Sequence, residues 1–353
     1  MTDGPPIRLA NGGRGGQATS GRVRVAGIDM GSNTTRLIVA DVTRDAAGAL
    51  SHIVLTRRTT ITRLAQDVDR RGILLPEAIT RTRNALVDYR SELRAAGAVF
   101  ALATATSAVR DADNGEAFLG EVEHGFGFTA RLLDGGEEAQ TTWAGVTSDP
   151  GLATRTGSGT GLLLDIGGGS TEVLLTSEGA VVENHSFQLG SVRLTEQYLA
   201  GTGPIPKQSL VRARARVQEL FAERFPNAAP PGVAIGVAGT ITTVVSIVSG
   251  HEQWQPALVH GAHVTPDEVD ELIERLAVMP TDARRRITGL EPDRAPVIVG
   301  GLVILAEALR HFGIERMVVS VRDILDGVAL EAGRVALEQG ITELHEPFGR
   351  TVC

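Results

Sequence analysis

The sequence predicts an α/β protein of two domains built on one plan, with a cleft between them. Three observations carry that expectation. The stretch "AGIDMGSNTTRLIVA" (26–40) returns in altered form as "GLLLDIGGGSTEVLL" (161–175). Asp29 matches Asp165, Gly31 matches Gly167, Thr35 matches Thr171 and Leu37 matches Val173, all at one constant offset. Each copy opens a half of the chain in which strand-like apolar runs alternate with helical periodicities, the mark of an α/β unit. The third observation is length, since 353 residues exceed what one compact core usually holds. Duplication explains the shared pattern better than chance.

Taken in order, the chain begins with "MTDGPPIRLANGGRGGQATSGR", whose Gly, Pro and Arg content reads as a disordered tail over 1–21. "VRVAGID" and "TTRLIVADV" are apolar runs joined by a short Gly/Ser/Asn turn, the signal of a hairpin. A third strand is expected over 51–62. In 75–97, Ile79, Leu86, Tyr89 and Leu93 recur at helical spacing between Pro76 and Gly97, so a helix is expected there. A strand at 98–104, a helix near 115–123 and a strand at 128–133 complete the first unit. The segment 135–148 reads as helical and leads into "LATRTGSGTG" (152–161), a Gly/Ser/Thr linker. The first domain is therefore assigned to 22–145 and the second to 146–353, with the last helix free to pack back on the first domain. The second half repeats the plan with a hairpin at 161–176 and a strand at 179–187. Helices near 190–200 and 206–222, a strand at 232–237, mostly helix, a strand at 315–321 and a closing helix at 324–337 follow. The run "VIVGGLVILAEAL" (297–309) falls short of the ~20 residues of a membrane span and reads as a buried core helix.

Composition narrows the function classes. Hydrophobic residues make up 42% and charged residues 22%, as in ordinary globular proteins. Aromatics at 4% are too few to build stacking platforms for single-stranded nucleic acid. With a net charge of −8 and no dense basic cluster, no nucleic-acid partner is expected. Lys207 is the only lysine, so an anion must be gripped by guanidinium groups, backbone N–H groups or a metal ion. The one cysteine, Cys353, excludes an internal disulfide and a cysteine-built zinc site. The N-terminus has no apolar core of a signal peptide, and a cytoplasmic location is expected, with no membrane partner.

The chemistry lies in the repeated hairpin tips. Consecutive glycines let backbone N–H groups approach an anion closely, and polyphosphate groups suit such loops. A carboxylate beside a phosphate loop would repel its ligand unless a cation lay between them. Asp29, Asp165 and Glu172 therefore imply Mg²⁺, or another hard divalent cation, held by a few carboxylates with waters and phosphate oxygens. His260 and His263 lack a surrounding constellation and read as structural. "TGSGTG" precedes a strand and is linker, not a dinucleotide fingerprint.

The pair "GIDMGSNTTRL" and "LLDIGGGSTE" resembles the phosphate loops of the acetate and sugar kinase/Hsp70/actin (ASKHA) superfamily. "ATSAVRDADN" (105–114), "GGEEAQTTWAGV" (135–146) and "GVAGTITTV" (236–244), in this order, narrow the resemblance to the exopolyphosphatase/guanosine pentaphosphate phosphohydrolase (Ppx/GppA) family, over about 23–335. The resemblance implies two actin-like (ribonuclease H-like) ASKHA domains. It also implies Mg²⁺-dependent hydrolysis of a terminal phosphoanhydride, in linear inorganic polyphosphate or, alternatively, in guanosine pentaphosphate. Glu138 falls where the family has its catalytic base, and a carboxylate opening a helix at the domain junction can deprotonate a water. Its neighbour Glu137 reads as structural. Arg110 matches the substrate-gripping arginine, and a planar fork suits two phosphate oxygens. Asp165 and Glu172 match the carboxylates for metal and phosphate. Gly31, Ser32, Asn33 and Thr34 match the first phosphate loop; Gly167, Gly168, Gly169, Ser170 and Thr171 match the second. Gly239 and Thr240 match a third turn before a helix, and Arg193 in "QLGSVRLTE" is a candidate phosphate contact.

Longer family members carry an HD-type domain, but none of the eight histidines here precedes an aspartate. Weaker processivity and a preference for shorter chains are expected accordingly. A homodimer follows from the resemblance and from the prevalence of symmetric oligomers. Two further readings stay open: a superfamily kinase, which would need a phosphate acceptor, and a nucleotide-binding regulator without turnover.

Overall fold

The computed structural model describes residues 21–343. The tail expected over 1–21 lies outside the described residues, except for Gly21, which opens the first strand. The first domain is a five-stranded sheet of β1 (Gly21–Met30), β2 (Thr34–Arg44), β3 (Leu50–Ile61), β4 (Phe100–Ala105) and β5 (Thr129–Leu132), in the order β3-β2-β1-β4-β5. Strands β1 to β3 form an antiparallel meander, while β4 and β5 run parallel to β1.

The second sheet joins β6 (Thr160–Ile166), β7 (Thr171–Ser177), β8 (Ala180–Phe187), β9 (Val233–Val237), β10 (His263–Val264) and β11 (Met317–Val319), in the order β10-β11-β9-β6-β7-β8. Without the two-residue β10, its sequence of antiparallel and parallel pairings repeats that of the first sheet strand for strand. The duplication read from one hairpin therefore extends to the topology of both halves.

Period-two alternation sorts the side chains of the first sheet onto two cores. Ala26, Ile28, Met30, Leu37 and Val39 pack with Ala78, Ala85, Leu86, Tyr89 and Leu93 of the helix Pro76–Ala95. On the other face Val25 and Val42 meet Val328, Ala332 and Ala336, while Ile38 and Ala40 meet Leu325 and Ala329. These partners belong to the closing helix Ile324–Gln339, so the end of the chain completes the first domain. In the second domain every residue from Ile298 to Leu309 of the helix Ile298–His311 is buried. That run is the apolar stretch read as a core helix.

Two expectations need correction. The segment 152–161 is not wholly linker, because a helix occupies Pro150–Thr156. Asp149 caps it by accepting from the Leu152 amide at 3.0 Å, and Pro150 suits its first turn. The helix expected near 190–200 is a short turn, Ser191–Leu194, followed by a π-helical turn, Thr195–Leu199.

The domains meet where the helix Gly135–Thr147 crosses the closing helix. A Cβ on Gly145 would stand 2.0 Å from the Asp323 carbonyl oxygen, and one on Gly327 would stand 1.9 Å from that of Thr141. The crossing is backbone against backbone and tolerates no side chain on either glycine. Gly327→Ala should therefore cost about 1–3 kcal/mol of stability, the usual range for overpacking. Denaturant titration checks it: the midpoint should fall at unchanged slope, and a wild-type midpoint would show that the helices can part freely.

Candidate active site

The tips of the two hairpins face each other across one cleft. Each is closed by the same hydrogen bond: the Gly31 amide donates to the Thr34 carbonyl at 3.0 Å, and the Gly167 amide donates to the Ser170 carbonyl at 3.0 Å. The tips are in contact as well. A Cβ on Gly168 would lie 3.0 Å from the Ser32 Cβ and 3.1 Å from the Asn33 Cβ. One on Gly169 would lie 2.6 Å from both the Ser32 and the Ser107 hydroxyl oxygens. Glycine at 168 and 169 thus lets loops from separate domains approach each other. Lining the cleft are Asp29, Gly31, Ser32, Asn33, Thr34, Glu138, Asp165, Gly167, Gly168, Gly169, Ser170, Gly239 and Thr240, all expected from the sequence.

The strand register explains the electrostatics. Asp29 stands opposite Arg36 in the β1–β2 pair, and Asp165 stands opposite Glu172 in the β6–β7 pair. Cross-strand partners share a face of the sheet. In the first domain a cation thus answers the acid, with Arg36 Nη2 2.7 Å from Asp29 Oδ2. Arg36 also bonds Asp323, the cap of the closing helix. In the second domain acid faces acid. Burial pushes the Asp165 carboxyl well above its ordinary range, and repulsion from Glu172 adds to the shift. Glu172 is pushed up to about 7, chiefly by burial, although the Ser186 hydroxyl donates to its Oε1 at 2.7 Å. Asp29 is raised too, mainly by burial and against the pull of Arg36.

Glu138 sits in the first turn of the helix Gly135–Thr147, which Asp134 caps and Glu137 completes as a capping box. Glu137 is therefore occupied structurally. Glu138 is only 8% exposed, and its Oε2 has no hydrogen-bond partner. Burial raises its carboxyl well above the ordinary value; Glu172, Asp165 and Asp29 raise it further, and Arg110 opposes them. Arg110 Nη1 lies 3.9 Å from Glu138 Oε2 and donates to the Leu133 carbonyl at 2.9 Å. One turn further along the helix, the Thr142 hydroxyl reaches Asp165 Oδ2 at 3.3 Å.

The third turn enters the cleft at the start of the helix Ala238–Val248. Ala238 has φ +69°, a left-handed conformation that costs a non-glycine residue of order 1–3 kcal/mol. Gly239 lies tight against Arg294, because a Cβ would fall 1.8 Å from its Nη1 and push the guanidinium aside.

The structure does not bring every expected residue to the ligand space. The Thr171 hydroxyl is buried and donates to the Leu189 carbonyl at 2.5 Å, so it braces its loop. Glu172 is buried beside Asp165 and does not line the cleft. Arg193 has Nη1 2.6 Å from Asp69, Nη2 2.7 Å from Asp111 and Nε donating to the Gly169 carbonyl at 2.9 Å. All three of its guanidinium nitrogens are taken by protein atoms, so no free fork faces a phosphate.

Arg36, Ser107, Arg294 and Asp323 were not singled out from the sequence. Arg36 had a signal, since it occupies in the first repeat the place Glu172 holds in the second. Arg294 had none, because only folding brings "EPDRAP" against Gly239.

Among the described residues no group of three or more His, Cys, Asp or Glu side chains could hold a metal ion by itself. A Mg²⁺ that keeps waters and takes phosphate oxygens requires only one or two carboxylates. Asp29 Oδ1 and Glu138 Oε2 are buried without hydrogen-bond partners, and four acids of raised pKa surround the loops. That donor set fits a hard divalent cation shared with a phosphate ligand.

The family model described as the Ppx/GppA phosphatase family matches residues 41–333. The chain is 36% identical over 319 residues to exopolyphosphatase 2 of Mycobacterium tuberculosis, covering 87% of this chain and 98% of that one. A guanosine-5'-triphosphate,3'-diphosphate pyrophosphatase of Aeromonas hydrophila is 27% identical over 307 residues, covering 86% of this chain and 58% of that longer protein. Among solved structures, an exopolyphosphatase-like protein superposes with a TM-score of 0.81 at 30% identity, over 90% of this chain and 99% of that one. The Ppx/GppA enzyme of Aquifex aeolicus gives 0.71 at 27% identity, over 88% and 100%. With two sheets of matching topology around a shared cleft, the fold is that of two actin-like ASKHA domains. The chain belongs to the Ppx/GppA phosphatase family.

Proposed function

We propose that the protein is an exopolyphosphatase, which hydrolyses the terminal phosphoanhydride of linear inorganic polyphosphate and releases orthophosphate. The observation that carries this reading is the meeting, in one cleft, of two glycine-loop tips with the buried, unpartnered carboxylate of Glu138. Polyphosphate is favoured over guanosine pentaphosphate on two grounds. The relative named an exopolyphosphatase is 36% identical, against 27% for the pyrophosphatase. Among the described residues that line the cleft none is aromatic, so the lining supplies no ring to stack on a guanine.

In this mechanism the backbone amides of 32–34 and 168–170 cradle the terminal phosphates, and the start of the helix Ala238–Val248 adds its dipole. Arg36 and Arg294, both lining the cleft, supply positive charge beside the phosphoryl oxygens. Asp29 and Asp165, with Glu172 buried beside them, would hold Mg²⁺, which would offset their charge and that of the bridging oxygens. Glu138 orients a water behind the terminal phosphorus and takes its proton. As the water oxygen bonds to phosphorus, the terminal P–O bond breaks and the shortened chain leaves with the bridging oxygen. A carboxylate of raised pKa is the stronger base for that step, and Arg110 favours its ionised form. Phosphoryl transfer asks mainly for positioning and charge stabilisation, which these parts provide. The expected cytoplasmic location and the homodimer belong to the same proposal. Among the described residues no helix is long and apolar enough to cross a membrane.

Mg²⁺-dependent phosphate release from polyphosphates of several lengths, beside guanosine pentaphosphate, tests the reading directly. Turnover confined to the nucleotide would transfer the assignment to the alternative substrate. Glu138→Gln should bind polyphosphate as the wild type does while turnover falls about 10²–10⁴-fold, the usual worth of a general base. Near-normal phosphate release by that variant would remove Glu138 from its role.

The raised acids also set a pH dependence. The folded protein binds protons on Glu172 up to about pH 7, whereas the unfolded chain gives them up near the ordinary 4.5. Stability of the metal-free protein should therefore fall as pH rises through that window. Divalent cation should restore it, so Mg²⁺ should raise the melting temperature more at pH 8 than at pH 6. Equal shifts at both pH values would contradict cation binding among these acids.

A further inference from the structure

The second glycine loop is held from behind by the segment that follows β8. The Gly167 carbonyl accepts from the Ser191 amide at 2.9 Å, and the Gly168 carbonyl accepts from the Val192 and Arg193 amides at 2.9 and 3.2 Å. The Gly169 carbonyl accepts from Arg193 Nε at 2.9 Å. Three successive carbonyls thus face 190–193. In a trans peptide the N–H points opposite to the C=O, so the amides of Gly168, Gly169 and Ser170 are directed away from that segment. Gly190 permits the contact, because a Cβ there would stand 2.2 Å from the Gly168 carbonyl oxygen.

The rest of Arg193 leaves its own domain. Asp69, on the helical turn Val68–Arg71, and Asp111, just after the turn Ser107–Arg110, are first-domain residues, and each takes one terminal nitrogen. Asp111 Oδ1 is in turn 3.8 Å from Arg110 Nε, and Arg110 Nη1 is 3.9 Å from Glu138 Oε2. A polar relay therefore runs from the Gly169 carbonyl through Arg193, Asp111 and Arg110 to Glu138. Parting the domains must break both ion pairs of Arg193 and leave the loop with a loosened prop. A guanidinium serves this position because its planar fork reaches three acceptors in fixed directions, which an ammonium cannot match.

We propose that Arg193 is a positioning residue that makes cleft closure, the orientation of the second loop's amides and the placement of Glu138 one coupled event. The kinetic consequence rests on the hydrolytic reading above; the coupling of closure to loop order does not.

The test compares Arg193→Gln, Arg193→Lys, Asp111→Asn and the Arg193→Gln/Asp111→Asn pair in the full chain. Readouts are phosphate release from polyphosphate, hydrogen exchange of the 191–193 amides that bond the loop carbonyls, and melting temperature. Arg193→Gln should lower kcat roughly 5–150-fold, the usual span of coupling between linked sites. It should also speed exchange at 191–193, whose amides donate to the loop carbonyls. Asp111→Asn should do both to a smaller extent, although Asp111 belongs to the other domain and does not touch the loop. Arg193→Lys should recover part of the loss, and the double variant should be no slower than Arg193→Gln alone, since both substitutions cut the same relay.

Losses that multiply in the double variant would overturn the proposal. Wild-type exchange at 191–193 in Asp111→Asn would do the same, and this second readout holds even if Arg193→Gln folds poorly. If the wild type releases phosphate from no polyphosphate, the substrate assignment fails, while the exchange comparison still decides the coupling.

Discussion

The arrangement depends on the burial of like charge. Asp29, Glu138, Asp165 and Glu172 lie within one junction, each nearly out of reach of water. A protein interior penalises a lone carboxylate heavily, and neighbouring carboxylates penalise one another. Such a cluster persists only if something positive is supplied. In the first domain the chain supplies it, through Arg36 between Asp29 and Asp323. In the second, acid stands opposite acid, and burial raises both the Asp165 and the Glu172 carboxyl. The proposed cation, arriving with a polyanion, would supply what the second domain lacks.

Duplication and divergence meet at one register position. The two hairpins share strand directions, the bond that closes the tip and an aspartate at the end of the first strand. They differ at the residue opposite that aspartate, arginine in one copy and glutamate in the other. The first copy neutralises its acid internally and fastens it to the closing helix. The second leaves its acids uncompensated and faces them toward Glu138. A single register position therefore separates a hairpin whose acid is paired within the chain from one whose acids face each other.

Much of this was legible in the sequence, because the signals are local. Glycines at hairpin tips, the acid before each tip and the apolar alternation of β1, β2, β6 and β7 all appear within about fifteen residues. The loops, Asp29, Asp165 and the first turn of the helix bearing Glu138 were placed on that basis. What remained hidden depends on distant pairing. Arg294 approaches Gly239 only through the packing of the helices around it, and Asp323 meets Arg36 only because the closing helix returns to the first sheet. Arg193 reads as a phosphate contact because an arginine in a family-like loop segment shows its charge and not its partners; Asp69 and Asp111 claim it. The segment 152–161 misled for the opposite reason. Its Gly, Ser and Thr content suggests linker, whereas Asp149 and Pro150 just ahead of it are helix-starting residues.

The position of the helix that carries Glu138, the proposed base, is set by packing that involves no ligand. The helix Gly135–Thr147 is pinned at both ends by glycines: Gly135, where a Cβ would lie 2.2 Å from the Ser186 Cβ, and Gly145, pressed on the Asp323 carbonyl. Ser186 is the residue that bonds Glu172, and Asp323 is the residue that bonds Arg36. The helix is thereby fixed against one carboxylate system in each domain, and Glu138 and Thr142, one turn apart on it, inherit their positions from those contacts. A shift of the helix along its axis would have to push a Cα into a carbonyl at one end or a side chain at the other. Backbone contacts of this kind are stiffer than side-chain contacts, since no rotamer change relieves them. The backbone thus fixes where the Glu138 side chain starts, and Arg110, 3.9 Å from its Oε2, bears on where the carboxylate ends, which is the precision the proposed attack of water on a held phosphorus would require.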